Sequence, residues 1–192
     1  MSIITDKILD LAGFDINNRD ACLAAVKHKG YNIRFIPNPD KEAQLEAVKE
    51  NGNSIQFIRN PDKEVQLAAV KQNIYSICYI QNPDKEAQLT AVRQNVDIIQ
   101  HIRNPDKEVQ LAAVKQYGPS IQCIHSPDKN VQLEAVKQDE SLILYIQNPD
   151  KEVQMTAIES SGYNIELILR CPNWKDFEEE IETNMIIKDI IE

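Results

Sequence analysis

The side chains able to do chemistry in this chain recur at fixed intervals instead of clustering. Asp40, Asp62 and Asp84 form a row of carboxylates 22 residues apart, the residue type that paired acid–base catalysis uses. Each is followed directly by a lysine (Lys41, Lys63, Lys85), so neutralising ion pairs between neighbouring units are the expected outcome. His101, Cys123 and His125, with Cys78, are zinc-ligand types. A structural zinc needs four ligands converging at about 2.0–2.3 Å, and these residues fall in different units at different places within the unit. No metal and no cofactor is therefore expected. The chain has no Gly-rich phosphate loop, no His-Glu-x-x-His and no nucleophile elbow. An enzyme is not the reading these residues support.

The elements that carry them are set by a repeat. Asn-Pro-Asp starts at Asn38, Asn60, Asn82, Asn104 and Asn148, and Ser126-Pro127-Asp128 fills the gap, every step being 22 residues. A degenerate copy begins at Ile16 and another follows near Arg170. Positions are numbered 1 to 22 from the Asn of Asn-Pro-Asp. Positions 4 to 13 hold good helix formers. Either Asn38 caps this helix with Pro39 in its first turn, or Asp40 does. Gly30, Gly52, Gly118 and Gly162 stand at position 15, where a left-handed residue can end a helix. Ile74 and Val96 take that place in two middle units, which should therefore end the helix differently. Isoleucine recurs at positions 18 and 21, a spacing of three that suits a short helical or 3₁₀ turn.

The predicted fold is all-α: a right-handed α-solenoid of 22-residue units, each a long helix plus a short, 3₁₀-like one. Residues 1–15 form the N-terminal cap, 16–169 seven stacked repeats and 170–192 an acidic C-terminal cap helix, making a single domain. Ile8, Leu9, Leu11 and Phe14 would seal one end, and Trp174, Phe177, Ile181, Ile187 and Ile190 the other. On a helical wheel, position 7 falls inside the apolar arc. It is glutamine in six units: Gln44, Gln66, Gln88, Gln110, Gln132 and Gln154. A buried amide must be hydrogen-bonded, so these predict a structural ladder to neighbouring repeats or their turns.

Where units agree the residues specify the stack; where they differ they are free to recognise a partner. Positions 19, 20 and 22 vary; 19 and 22 point away from the isoleucine pair, while position 20 either packs against the next helix or joins them in facing a partner. Aromatic and arginine residues there (Arg34, Phe35, Phe57, Arg59, Tyr79, His101, Arg103, His125 and Tyr145) are the candidate partner-binding set. The formal net charge of -9 argues against nucleic acid, as do arginines too few for a basic stripe. The partner expected is another protein, and exposed terminal layers also make a homodimer plausible.

No apolar run approaches the roughly 20 residues of a membrane span, and Met1–Asp6 do not open a secretory signal. Four cysteines without motif spacing fit free thiols in a reducing cytoplasm.

The segment Asp-Lys-Glu-Val-Gln-Leu-Ala-Ala-Val-Lys-Gln-Asn at 62–73 resembles short repeats of unknown function in bacterial, phage and giant-virus proteins. Its long-helix/short-helix unit is also similar to leucine-rich repeat variants and HEAT-like solenoids, though shorter than a HEAT repeat. The resemblance covers roughly residues 16–169 and implies architecture, not activity. Its phage association implies one alternative: an acidic inhibitor, or nucleic-acid mimic, that blocks a basic site on a host factor in the host cytoplasm. Glu178–Glu180 and the Asp row would be its charged face.

Overall fold

The computed structural model describes residues 13–171 and 174–191, and divides the chain into two compact units, Met1–Asn104 and Pro105–Glu192. In the first, α-helices Arg19–His28, Lys41–Glu50, Lys63–Gln72 and Lys85–Gln94 alternate with 3₁₀ helices Gly30–Phe35, Gly52–Phe57, Ile74–Tyr79 and Val96–His101. In the second, Lys107–Gln116, Lys129–Gln138 and Lys151–Ser160 alternate with 3₁₀ helices Gly118–Cys123 and Glu140–Tyr145. The α-helix Ile165–Arg170, the 3₁₀ helix Trp174–Phe177 and the helix Glu178–Ile191 follow. Within each unit every long helix packs on the next, and no strand occurs among the described residues. The fold is the all-α stack of 22-residue helix-plus-3₁₀ repeats that the periodicity implies.

The long helix begins at position 4 because Asp, not Asn, is its cap. The Asp40 and Asp62 carboxylates accept from the backbone N–H of Ala43 and Val65 at 2.8 and 3.0 Å. Asp84, Asp106 and Asp128 accept one residue earlier, from Glu86, Glu108 and Asn130. Asn at position 1 serves the turn before the cap instead: Asn38, Asn60 and Asn148 adopt φ of 51–52°. Asparagine tolerates that left-handed conformation better than most residues. A second cap follows at position 14. Asn51, Asn73 and Asn95 accept from Asn53, Tyr75 and Asp97 N–H at 2.9–3.0 Å, opening each 3₁₀ helix.

The expectation for position 15 is corrected. Gly30, Gly52 and Gly118 are not left-handed helix stops, because position 14 turns the chain in extended conformation with φ near -150°. Ile74 and Val96 therefore end their helices as the glycine units do, behind Asn73 and Asn95 in that same conformation. Glycine is needed for closeness: a β-carbon on Gly52 would stand 2.5 Å from Ala69 O and 2.6 Å from Ser76 Oγ of the next repeat. Only Gly162, with φ +67°, plays the expected part.

The core is a stripe of positions 6, 10 and 11 from the long helix, with positions 18 and 21 from the 3₁₀ helix. Val65, Ala69, Val70 and Ile77 are buried, as are Val131, Ala135, Val136 and Ile143 in the second unit. Burying each such valine or isoleucine side chain contributes about 1.5–3 kcal/mol. At the C-terminal end Ile181 is buried and Lys175 lies over the Trp174 ring. Residues 1–12 and the side chains of Phe177, Ile187 and Ile190, on which the cap assignments also rest, lie outside the described residues.

No described helix is long and apolar enough to cross a membrane.

Candidate functional site

The six position-7 glutamines each donate Nε2 to the carbonyl of their own repeat's proline: Gln44 to Pro39, Gln66 to Pro61, Gln88 to Pro83, Gln110 to Pro105, Gln132 to Pro127 and Gln154 to Pro149, at 2.8–3.0 Å. Each bond ties the turn onto the helix that follows it. Gln66 also accepts from the backbone N–H of Asp84 in the next repeat, at 2.8 Å.

Position 13 also joins repeats. The Gly52 N–H donates to Gln72 Oε1 at 2.6 Å, the Gly30 N–H donates to Glu50, and Gln138 Nε2 donates to Val114 O at 2.9 Å. The signal available was chemical: Glu or Gln recurs there, and either offers an acceptor oxygen.

The Asp row is paired across repeats. Arg19 reaches Asp40 and Glu42, Lys41 reaches Asp62 at 3.0 Å and Glu64 at 2.6 Å, and Lys63 reaches Asp84 at 2.8 Å. In the second unit Lys107 meets Asp128, Lys129 meets Glu152 and Lys151 meets Glu180. The carboxyls of Asp40 and Asp62 are held below their ordinary range mainly by the capping backbone N–H groups. Those of Asp84 and Asp128 are lowered mainly by their lysine partners. Exposed, solvent-screened pairs of this kind contribute little to stability.

The candidate partner-binding residues lie on the turn edge, where a 3₁₀ helix ends and the next Asn-Pro begins. In a 3₁₀ turn residues three apart eclipse, so the isoleucines at 18 and 21 face inward and positions 19, 20 and 22 face out. Arg34, Phe57, Arg59, Tyr79, His101 and Arg103 are exposed in the first unit, and His125 and Tyr145 in the second. Phe35 is half-buried with the Arg34 guanidinium 4.5 Å above its ring. Phe57 also packs edge-on against Tyr31 at 5.7 Å.

Between successive turns of the first unit run three open grooves. One of about 430 Å³ lies between Pro39 and Phe57, one of about 760 Å³ between Phe57 and Tyr79, and one of about 490 Å³ between Tyr79 and Arg103. Gln44, Gln66 and Gln88 line them in turn. Cys78 and His101 line the third, and no group of three or more metal-ligating side chains occurs among the described residues. Cys78 and Cys123 are exposed thiols, whereas Cys22 and Cys171 are buried.

The edge differs from the rest of the surface in charge. Residues 34–39, 56–61, 78–83, 100–105, 122–127 and 144–149 contain no Asp, Glu or Lys, in a chain with 30 acids. Their formal charges are Arg34, Arg59 and Arg103.

Residues 40–83, the span of two repeats, match the model of a family described as a domain of unknown function (DUF4116). No curated protein and no solved structure matches the chain. The matched segment carries the Asp cap, the position-7 glutamine and the isoleucine pair. It is similar to repeats to which no activity is attached.

Proposed function

We propose that this chain is a non-enzymatic repeat scaffold that binds another protein along its turn edge. The observation carrying the reading is the row of outward aromatic and arginine side chains on the acid-free turns of the first unit, with Phe57 39% and Tyr79 49% exposed. Large rings with few rotatable bonds, beside arginine, are the side chains from which binding energy at interfaces is commonly built. The stack fixes their spacing, so little ordering accompanies binding.

The acidic-inhibitor reading rests on the C-terminal helix alone. Lysines already pair the Asp row, which weakens it as a bare anionic face, and Glu180 is held by Lys151 at 2.5 Å. Glu178 and Glu179 stay exposed.

The test is a tagged pull-down with the full chain, read by mass spectrometry, comparing wild type with Phe57→Ala/Tyr79→Ala and with Glu178→Gln/Glu179→Gln. The scaffold reading expects the aromatic pair to abolish recovery of specific proteins and the glutamine pair to leave it intact. The reverse pattern replaces it with the acidic inhibitor. Recovery untouched by either pair removes both surfaces.

A further inference from the structure

The turn edge of the first unit has a chemistry of its own. Of its four turns, residues 34–39, 56–61, 78–83 and 100–104, three carry an arginine (Arg34, Arg59, Arg103) and none a carboxylate or lysine. In the same repeats Asp40, Glu42, Asp62, Glu64 and Asp84 lie at the start of the long helices, where Arg19, Lys41 and Lys63 meet them, and none of the remaining acids stands in these turns. Among the described residues no carboxylate lies within ion-pair distance of Arg59 or Arg103, and both are exposed. Two fixed cations on an edge cleared of acids, in a protein of net charge -9, make a local complement to negative charge.

Spacing narrows the occupant. Arg59 and Arg103 occupy position 22 in repeats two steps apart, and Gln81 takes that position between them. Helices stacked at about 8–10 Å put the two guanidinium sites roughly 16–20 Å apart. An extended chain advances about 3.3 Å per residue, so the interval equals about five or six residues. Between the arginines stand the exposed Tyr79 ring and the turn amides of Asn60 and Asn82, along the two largest grooves. Amides that both donate and accept suit a peptide main chain. A single-stranded nucleic acid puts a phosphate at every step, whereas this edge offers a cation only at every second repeat.

We propose that the turn edge of the first unit binds an extended acidic peptide segment: two carboxylates about six residues apart pair with Arg59 and Arg103, and an apolar side chain between them lies against Tyr79. The proposal rests on the protein-binding reading above and adds the class of partner and its register.

Fluorescence anisotropy with the full chain tests it. The probe is a labelled peptide of about twelve residues, with two glutamates about six residues apart and a leucine midway. Three comparison probes are the peptide with both glutamates replaced by glutamine, the peptide with the glutamates brought about three residues apart, and an oligothymidylate of matched length. The first probe is expected to bind about tenfold more tightly than any other, and Arg59→Gln and Arg103→Gln each to weaken it about threefold. Arg93→Gln, an exposed arginine on the helix Lys85–Gln94, should leave binding unchanged. Circular dichroism of each variant checks folding, since all three positions are exposed.

Equal binding of the glutamine or close-spaced peptide overturns the proposal, as does tighter binding of the oligothymidylate, an equal effect of Arg93→Gln, or no binding at all. If the glutamine peptide binds equally and Tyr79→Ala abolishes it, the acidic register falls while the protein-binding edge stands. If Tyr79→Ala and Phe57→Ala leave that binding untouched, both fall.

Discussion

Gln66 and Asp84 lie 18 residues apart and share one hydrogen bond, in which the Asp84 N–H donates to Gln66 Oε1 at 2.8 Å. Gln66 donates in the other direction, to Pro61 O at 2.9 Å. One amide thus fixes the turn before its helix and the turn after the next repeat boundary. Gln66→Leu keeps the volume and deletes both bonds, leaving the carbonyl of half-buried Pro61 and the N–H of half-buried Asp84 without this partner. The expected loss is about 2 kcal/mol, from unsatisfied polar groups that each cost about 1–3 kcal/mol. In a chain of this size that lowers the melting temperature by about 4–8 °C. A melting curve coincident with wild type removes the ladder from the account of stability.

Gly52 gives a steric prediction. Gly52→Ala places a methyl group 2.5 Å from Ala69 O, which is backbone and yields little. Overpacking of this kind costs about 1–3 kcal/mol. The direct check is Gly52→Ala/Ser76→Ala: removing Ser76 Oγ, 2.6 Å from the new methyl, should recover part of the loss. No recovery would assign the strain to Ala69 O and Gln72 Oε1, the latter 2.8 Å from the new methyl.

Acid should weaken the fold in a defined window. The carboxyls of Asp40, Asp62, Asp84 and Asp128 lie below the ordinary value in the folded chain. Unfolded, they titrate near about 3.9. The unfolded chain therefore binds more protons in acid, and stability rises with pH through that range. The contribution is full above about pH 5 and fades as pH falls below about 4 through the folded values. Urea midpoints at fixed ionic strength should drop between pH 5 and pH 3, and Asp62→Asn should show a shallower drop. Parallel slopes for Asp62→Asn and wild type would exclude its carboxylate.

The thiols should divide into two classes. Cys123 and Cys78 are exposed, with Cys78 the slower because partial burial raises its pKa. Only the thiolate attacks a disulfide reagent. Ellman's reagent should modify Cys123 first, then Cys78, and reach Cys22 and Cys171 only on unfolding. Four thiols reacting together in native buffer would contradict their burial.

Capping adds a further measure. Asp62→Ala removes the acceptor for Val65 N–H and should cost about 1 kcal/mol, with Asp62→Asn recovering most of it. Equal losses would transfer the effect from the cap to the Lys41 ion pair.

Much of the fold was legible because its rules act within one repeat. The 22-residue step, the helix formers at positions 4 to 13 and isoleucines three apart need no knowledge of neighbours. What escaped depends on the next unit. The crowding at Gly52 comes from Ala69 and Ser76, and the role of Gln72 lies in a bond to Gly52 N–H in the preceding repeat. The choice between Asn and Asp as cap turned on the left-handed φ of Asn38 and Asn60, which either side chain could have adopted. At the turn edge the outward direction of positions 19 and 22 followed from the isoleucine spacing, whereas position 20 could equally have packed inward and the exposure of Phe57 and Tyr79 comes from the structure. Its clearance of acids emerged only after the turns were seen to form one edge.

Lys41 pairs with the acids of the repeat after it, Asp62 and Glu64, and Lys63 repeats the pattern on Asp84. The linkage is therefore directional, each of these lysines reaching an acid of the repeat that follows it. Excising residues 62–83 would bring Pro61 before Asp84 and offer Lys41 the same two acids, now Asp84 and Glu86. Whole repeats can be lost or copied without new joints being invented, so the number of repeats is a quantity that selection can vary while the rule for joining them stays fixed.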